Sequence, residues 1–347
     1  MDIAKRNLAN PLLKPADLPP GIKGMEIACL LNPGVFRYDG KTWLLLRVAE
    51  RPVQQDNKIS FPIYNKEGNI EVVSFGADDP DLDATDPRVI NYKGQDYLTT
   101  MSYLRLVSSD DGVHFKDEPA FPPIFGEGEL EAFGIEDCRV ATADDGFYLT
   151  FTEVSPVAVG VGLIHTTDWK NYTRHGMIFP PHNKDCALFE EKVNNMYYAL
   201  HRPSSTELGG NYIWLAQSPD RIHWGNHKCI ATTRHGMWDS VRVGAGAAPI
   251  RTPEGWLEIY HGADHNHRYC LGALLLDLND PSKVLARSND PIMEPLAAYE
   301  QTGFFGNVVF TNGHLVDGDA ITLYYGASDE VICSAQISIV EILNSFK

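Results

Sequence analysis

Short apolar runs separated by turn residues recur along the whole chain. In each copy, a short strand-like run with polar or charged residues is followed by a turn and an aromatic-rich run. Six copies can be counted, at residues 31–36 with 43–47, 86–90 with 97–100, 136–140 with 147–151, 184–189 with 196–202, 246–250 with 256–261, and 307–310 with 321–325. Runs of this length predict β-strands. Helical periodicity is almost absent, so we expect an all-β protein.

The spacing of these hairpins predicts a radial arrangement. A period of roughly 50 to 60 residues made of strands and turns is typical of β-propellers. The innermost strands of a propeller converge on one axis, so charged residues at their ends are expected to meet. The chain has no evident internal linker. We therefore expect residues 1–24 to form an N-terminal arm and residues 25–347 to form a single propeller domain.

Composition and charge narrow the classes of function. A chain of 347 residues with 44% hydrophobic content can bury a large core. Its formal net charge of −17 would repel nucleic acids and anionic membrane surfaces. The N-terminus has no apolar signal-like segment and no stretch approaches membrane-spanning length, so we expect a cytoplasmic protein. The six cysteines lack a Cys-x-x-Cys pair and are expected to be free. The sequence leaves open whether the chain forms a homo-oligomer.

Asp137 is the first candidate for catalysis. It lies in the string Glu136-Asp137-Cys138-Arg139 at the start of a predicted inner strand. A carboxyl group near other acids can keep its proton at neutral pH and act as a general acid. An isolated Asp-x-Arg more often caps a turn and pairs with its own arginine, as Asp86-Pro87-Arg88 illustrates. A catalytic role is favoured here by the basic residues that other repeats supply.

Three basic residues occupy comparable places in the repeats. Lys184 begins one inner strand, Arg202 ends its partner, and Arg242 precedes the glycine-rich residues 244–246. Three cations near one axis of an acidic protein would form an anion site suited to phosphate. The alternative is three separate salt bridges to nearby acids, namely Asp185, Glu190 and Asp239. Spacing alone does not decide between these two interpretations.

A histidine cluster raises the question of a metal site. His261, Asp264, His265 and His267 are residue types that bind zinc. Neighbours along a strand point to opposite faces, however, and residues 265–267 resemble an exposed turn. We therefore expect neither a metal site nor a cofactor.

Several longer strings resemble glycoside hydrolase family 130. They are Asn183-Lys184-Asp185 with residues 188–192, then residues 201–204, 255–262 and 324–329, in the order that the family shows. The resemblance runs from about residue 10 to the C-terminus. The family contains β-mannoside phosphorylases and β-1,2-mannosidases on a five-bladed propeller. The resemblance thus implies five blades rather than six, with residues 60–100 as an insertion in the first blade.

The resemblance also implies roles for individual residues. Asp137 matches the catalytic proton donor, which in the phosphorylases is thought to act through a hydroxyl of the bound mannose. The phosphate-binding positions match Lys184, Arg202 and Arg242, and the positions that hold the terminal mannose or the attacking anion match Asn32, Arg47, His261 and Asp329. Glu190 and Cys138 stand where the family usually has proline, so two local departures surround the expected site.

These matches imply an inverting phosphorylase of β-mannosides, with β-1,2-linked mannooligosaccharides as expected substrates. Inorganic phosphate would be the co-substrate and mannose 1-phosphate the product. Since phosphate brings its own nucleophile, one catalytic carboxyl group is sufficient. The presence of all three cations favours this interpretation.

Two alternatives remain open from sequence. An inverting β-1,2-mannosidase would need a second carboxylate as base, with Glu190 or Glu191 as candidates, at roughly 6.5 to 9.5 Å from the acid. A non-catalytic carbohydrate-binding propeller would instead use aromatic side chains to stack on sugar rings. The candidates for such stacking are Tyr103, Trp238, Phe304 and Phe305.

Overall fold

The computed structural model describes residues 2–65, 68–86, 88–204 and 208–346. Residue 1 of the predicted arm, residue 347 of the predicted domain and the proline of Asp86-Pro87-Arg88 lie outside the described residues. The fold is all-β, as predicted, with two short α-helices, α1 (Ala298–Gln301) and α2 (Ile339–Ser345), and two 3-10 turns. No helix among the described residues has the length and apolar character needed to cross a bilayer. The six cysteines are free thiols, and five of them are buried.

The described chain forms 26 strands. In chain order they are β1 (Lys5–Arg6), β2 (Met25–Tyr38), β3 (Lys41–Pro52), β4 (Lys58–Tyr64), β5 (Ile70–Gly76), β6 (Leu82–Asp86), β7 (Val89–Tyr92), β8 (Gln95–Leu98), β9 (Met101–Ser109), β10 (Lys116–Asp117), β11 (Ile135–Ala143), β12 (Gly146–Val154), β13 (Val159–Thr166), β14 (Thr173–Phe179), β15 (Asn183–Leu188), β16 (Tyr197–Pro203), β17 (Ile213–Ser218), β18 (Gly225–Ala231), β19 (Arg242–Ala245), β20 (Ile250–Arg251), β21 (Trp256–Ala263), β22 (Tyr269–Leu276), β23 (Val284–Arg287), β24 (Val309–Asp317), β25 (Ala320–Ala327) and β26 (Val331–Ser338).

Most of these strands build five antiparallel sheets, which we number in chain order. Sheet 1 contains β2, β3, β9 and β10, sheet 2 contains β11 to β14, and sheet 3 contains β15 to β18. Sheet 4 contains β19 and β21 to β23, with β20 paired to β21, and sheet 5 contains β24 to β26 with β1. Short turns join consecutive strands because each apolar run is followed at once by turn-forming residues.

The five sheets contact one another in a cyclic order. Strand β2 contacts both β11 of sheet 2 and β24 of sheet 5, and β15 contacts β11 of sheet 2 and β19 of sheet 4. Contacts between β22 and β24 join sheet 4 to sheet 5. The first strand of each sheet takes part in these contacts, so these are the inner strands. Hydrophobic clusters lie between adjacent sheets.

The predicted hairpin at residues 86–90 with 97–100 belongs to an insertion between β3 and β9. Strands β4 and β5 pair with each other, and β6, β7 and β8 form a separate three-stranded sheet. The aromatic rings of Phe61, Phe75 and Tyr97 pack together within this insertion. Six hairpins in the sequence thus correspond to five sheets and one insertion.

The N-terminal segment adds a strand to sheet 5. Strand β1 pairs with β26 through Lys5 and Arg6. Arg6 Nε donates to Glu300 Oε1 at 2.8 Å, and this carboxylate is fully buried. Since the first and last parts of the chain share one sheet, this ion pair helps to join the two ends.

We expect Arg6→Met to lower the free energy of unfolding by about 3 kcal/mol, because it leaves the buried Glu300 carboxylate without its cation. Chemical denaturation measures the change. Lys5→Met provides the matched control, since Lys5 is the exposed neighbour in the same strand, and its effect should stay within about 0.5 kcal/mol. Equal losses in both variants would contradict a structural role for the Arg6 ion pair.

Candidate active site

The inner strands of sheets 1, 2 and 3 share a β-bulge at the same place. In each bulge, two residues oppose one residue of the partner strand, and the first of the two is Asn32, Asp137 or Asp185. These three residues have positive φ angles of 20°, 49° and 53°. Asn and Asp adopt positive φ more readily than other side chains, and a bulge re-aims the side chain that it carries. The three polar groups are thereby directed to a common region.

All eight residues predicted for catalysis, phosphate binding or substrate binding line one cavity of about 280 Å³. They come from all five sheets: Asn32 and Arg47 from sheet 1, Asp137 from sheet 2, Lys184 and Arg202 from sheet 3, Arg242 and His261 from sheet 4, and Asp329 from the turn after β25 in sheet 5. Convergence of the inner strands, predicted from the repeat, therefore brings together residues almost 300 positions apart in sequence.

The acidic side of the cavity is built around Arg47. Its Nη1 donates to Asp137 Oδ1 at 3.1 Å and its Nη2 donates to Glu136 Oε1 at 2.7 Å. Asn32 Nδ2 also donates to Asp137 Oδ1, at 3.1 Å. Among the described residues, both hydrogen bonds to the Asp137 side chain use Oδ1, so Oδ2 is the oxygen left to face a substrate.

The protonation state of Asp137 differs from the sequence-based expectation. Burial disfavours the charged carboxylate, but the positive charges of Arg47, Arg139 and Lys184 outweigh burial and hold its pKa below the ordinary value. Asp137 is therefore ionised at neutral pH when the cavity holds no ligand. The expectation that nearby acids keep its proton in place was wrong, because cations from three sheets dominate its surroundings.

Asp329 has the opposite electrostatic environment. Burial raises its pKa to about 6, and the nearby carboxylates of Asp137 and Glu136 add to this rise while Arg47 opposes it. Asp329 therefore titrates in the mildly acidic range. Its position in the sequence gave no sign of this, since Asp329 follows β25 of sheet 5 whereas Glu136 and Asp137 lie on β11 of sheet 2.

The basic side of the cavity contains three cations with different partners. Arg202 Nε donates to Asp185 Oδ2 at 2.5 Å. Arg242 Nη1 donates to the Tyr269 hydroxyl at 3.0 Å. Neither Lys184 nor Arg242 forms an ion pair with an acid in the described part of the chain. The alternative of three separate salt bridges therefore holds for Arg202 alone.

The two other acids proposed as salt-bridge partners lie elsewhere. Asp239 is fully buried and binds Arg234 and Arg287, at 2.7 and 2.5 Å. Glu190 accepts a hydrogen bond from the Thr142 backbone amide, at the far end of β11 from Asp137. Neither acid therefore neutralises the charge of Lys184 or Arg242.

Glu190 and Glu191 do not line the cavity that contains Asp137. Both line a different cavity, together with Thr142 and Arg251, and Glu191 forms an ion pair with Arg251 at 3.2 Å. Thr142 is five residues beyond Asp137 on the same strand, which corresponds to roughly 15 Å. The suggestion that either glutamate serves as the base of a hydrolase is therefore corrected, since neither can reach a water next to the same sugar.

The aromatic residues proposed to stack on sugars divide into two pairs. Phe304 and Phe305 line the cavity. Tyr103 is fully buried and donates its hydroxyl to Glu50 at 2.6 Å, and Trp238 stacks on Tyr260 with ring centroids 5.5 Å apart. Only the phenylalanines are therefore placed to contact a ligand.

Several cavity residues were missed by the sequence analysis. Tyr269 and Phe310 line the basic side, and Arg88 with Val89 lines the wall formed by the insertion. The guanidinium of Arg88 lies 4.4 Å from the centroid of the Phe305 ring. The sequence indicates a turn in which Asp86 pairs with Arg88, and this ion pair forms at 2.8 Å. The sequence signal for the additional place of Arg88 in the cavity wall was the hairpin pattern that it shares with the Asp137 repeat.

The histidine cluster is split by the fold. His261 is buried and lines the cavity, whereas His265 and His267 are exposed in the following turn. Within the described ranges, no group of three or more His, Cys, Asp or Glu side chains is arranged to hold a metal ion.

Comparison with known proteins places this geometry in a family. The sequence profile of glycoside hydrolase family 130, described as β-1,4-mannooligosaccharide phosphorylase, matches residues 87–347. The chain belongs to this family. A β-1,2-mannobiose phosphorylase from Listeria innocua is 46% identical over 345 residues, which cover 97% of each chain. A 1,2-β-oligomannan phosphorylase from Thermoanaerobacter sp. (strain X514) is 39% identical over 71% of this chain and 81% of its own length.

A solved structure supports the same relationship. The β-1,2-mannobiose phosphorylase from Listeria innocua, in complex with β-1,2-mannobiose, superposes with a TM-score of 0.95. The alignment covers 99% of both chains at 44% sequence identity. The five sheets and the insertion of this family 130 protein are therefore shared with a structure that holds a disaccharide.

The raised pKa of Asp329 predicts a specific pH dependence of stability. The folded state binds this proton more tightly than the unfolded state, so ionisation of Asp329 lowers stability as the pH rises from about 4 to about 6. We expect Asp329→Asn, which cannot ionise, to be more stable than the parent at neutral pH. Thermal unfolding across the acidic range should show that this advantage disappears towards pH 4.

Asp137→Asn is the matched control, because the pKa of Asp137 is shifted downwards. Its charge stabilises the folded state above the ordinary pKa, and that contribution is lost only as the pH falls through the lower folded value. This variant should therefore be less stable than the parent at neutral pH. If the stability of both variants changed with pH in the same way, the opposite pKa shifts of Asp329 and Asp137 would be contradicted.

Proposed function

We propose that the protein is an inverting phosphorylase that transfers the terminal mannosyl residue of β-mannosides to inorganic phosphate. The products are mannose 1-phosphate and a shortened acceptor sugar. The observation that best supports this proposal is that Lys184 and Arg242 share one cavity with Asp137. Neither cation has an acidic partner among the described residues. The names of the similar proteins favour β-1,2-linked mannooligosaccharides as substrates.

The basic side of the cavity suits a phosphate dianion. Arginine can hold two phosphate oxygens with one guanidinium group, and lysine adds a point charge. Arg202 and Arg242 project from neighbouring sheets, and Lys184 is the residue directly opposite Arg202 in the strand pairing. Phosphate held by these three residues is positioned to attack the anomeric carbon.

Asp137 supplies the proton for the leaving oxygen. Its pKa is low in the free protein because of Arg47, Arg139 and Lys184, and a bound phosphate offsets part of that positive charge. Phosphate binding therefore raises the pKa of Asp137 at the moment when an acid is needed. The proton reaches the leaving oxygen either directly or through a mannose hydroxyl. Overall, the proton lost by hydrogen phosphate balances the one gained by the leaving sugar.

The same geometry disfavours hydrolysis. An inverting hydrolase needs a second carboxylate to activate water on the face of the sugar opposite to the acid. Neither Glu190 nor Glu191 lines the cavity of Asp137, and Asp185, the carboxylate next to Lys184 and Arg202 in that cavity, is already paired with Arg202. Cations attract the anionic nucleophile but cannot take a proton from water.

We also infer that the five sheets are the blades of a five-bladed propeller. Their cyclic contacts support this arrangement, and β1 would close the ring by joining the first and last parts of the chain. Residues 25–347 would form the catalytic domain, and residues 1–24 would contribute the closing strand.

Incubation with β-1,2-mannobiose, with and without phosphate, tests the proposed reaction. We expect mannose 1-phosphate and mannose in equal amounts when phosphate is present, and almost no cleavage in its absence. Phosphorus NMR identifies the sugar phosphate. Release of mannose at the same rate without phosphate would overturn the proposal.

Lys184→Met tests the anion site itself. Loss of a charged contact of this kind costs about 1.5 to 3 kcal/mol, so we expect kcat/KM for phosphate to fall about 10-fold to 100-fold. Lys192→Met is the control, because Lys192 is exposed, lies over the Tyr197 ring and does not line the cavity. An unchanged KM for phosphate in Lys184→Met would remove this residue from the site.

A further inference from the structure

One fully buried carboxylate joins the basic side of the cavity to the acidic side. Asp185 is 2% exposed and occupies the bulge of sheet 3 that corresponds to the Asp137 bulge of sheet 2. We propose that Asp185 is the positioning residue of the anion site, holding Arg202 and His261 in the orientation that receives phosphate. This inference rests on the proposed phosphorylase function and deepens it.

The contact with Arg202 fixes the plane of its guanidinium. Nε donates to Asp185 Oδ2 at 2.5 Å, and Nη1 donates to Asn211 Oδ1 at 3.0 Å. A guanidinium group is planar, so two anchored nitrogens determine the direction of the whole fork. The guanidinium of Arg202 is therefore anchored through two of its nitrogens, which fixes its direction in the cavity wall.

The contact with His261 sets its tautomer. His261 Nε2 lies 3.2 Å from Asp185 Oδ2, and burial lowers the pKa of this histidine, so the ring is neutral at neutral pH. Because a carboxylate only accepts, Nε2 carries the hydrogen and Nδ1 is an acceptor. Nδ1 is buried and has no hydrogen-bond partner among the described residues. It is thereby available to accept a hydrogen bond from a protonated phosphate oxygen or a sugar hydroxyl.

Arg139 connects Asp185 to the catalytic bulge. Its Nη2 donates to Asp185 Oδ1 at 3.4 Å, and its Nη1 donates to the Asp137 carbonyl at 2.9 Å. The same guanidinium donates to the carbonyl oxygens of Ala245 and Gly246 in sheet 4. One buried cation thus joins Asp185 to the backbone of Asp137 and to the end of β19, the strand in which Arg242 is the first residue.

Simple electrostatics makes the opposite prediction about Asp185. An ionised acid beside an anion site repels phosphate, so its removal should tighten phosphate binding. A positioning role predicts weaker binding instead, because Arg202 and His261 lose their common anchor. The sign of the change therefore distinguishes the two roles.

We expect Asp185→Asn to lower kcat/KM for phosphate about 100-fold, the loss expected when a binding group is misplaced by about 1 Å. The KM for phosphate should rise by a larger factor than the KM for β-1,2-mannobiose. Asp117→Asn is the matched control, because Asp117 pairs with Arg105 in sheet 1 and does not line the cavity. Its KM for phosphate should be unchanged.

A double variant shows whether Asp185 acts through Arg202. When Asp185→Asn is added to Arg202→Gln, the KM for phosphate should change by a clearly smaller factor than when it is added to the parent, since the contribution through Arg202 is already lost and only that through His261 remains. This pair is also neutral, so it avoids the uncompensated buried charge that could prevent the single variant from folding. Multiplicative effects of the two substitutions would overturn the inference.

Failure of this inference is distinct from failure of the proposed function. If the parent enzyme cleaves β-1,2-mannobiose without phosphate, both are overturned. If the parent requires phosphate but Asp185→Asn has an unchanged or lower KM for it, only the positioning role is overturned.

Discussion

The cavity depends on a backbone constraint, the β-bulge that the inner strands of sheets 1, 2 and 3 share. A regular strand alternates its side chains between two faces and cannot direct successive polar groups to the same end. At each bulge, Asn32, Asp137 or Asp185 leaves that alternation with a positive φ angle. The bulges therefore convert three ordinary hairpins into three walls of a single site.

The charge distribution follows from this convergence. The protein as a whole carries a formal net charge of −17, yet the cavity collects Arg47, Lys184, Arg202 and Arg242 in one place. Charges interact more strongly in a partly buried site than in water. Because Glu136, Asp137, Asp185 and Asp329 also line the cavity, the anion site that we propose depends on Lys184 and Arg242, which have no acidic partner among the described residues.

The part of the chain matched by the family profile begins inside the insertion between β3 and β9. The family profile begins at residue 87, whereas the Listeria innocua relative aligns with 97% of this chain. Strands β2 to β6 therefore precede the part matched by the profile, although they lie within an alignment that spans almost the entire chain. Arg88, which packs on Phe305 in the cavity wall, lies inside the part matched by the profile, whereas the Asn32 bulge lies before it.

The sequence by itself determined the strands, the repeated hairpins and most residues of the cavity. These features follow from local periodicity, from turn chemistry and from motifs that resemble a known family. Only the tertiary structure decided that Asp137 is ionised, that Lys184 and Arg242 lack an acidic partner among the described residues, and that Glu190 lies about one strand length from Asp137. Each of these properties depends on distances between groups on different sheets or at opposite ends of one strand. A linear sequence shows which charges are present, but pKa values and ion pairs are set by their separation and burial in the folded chain.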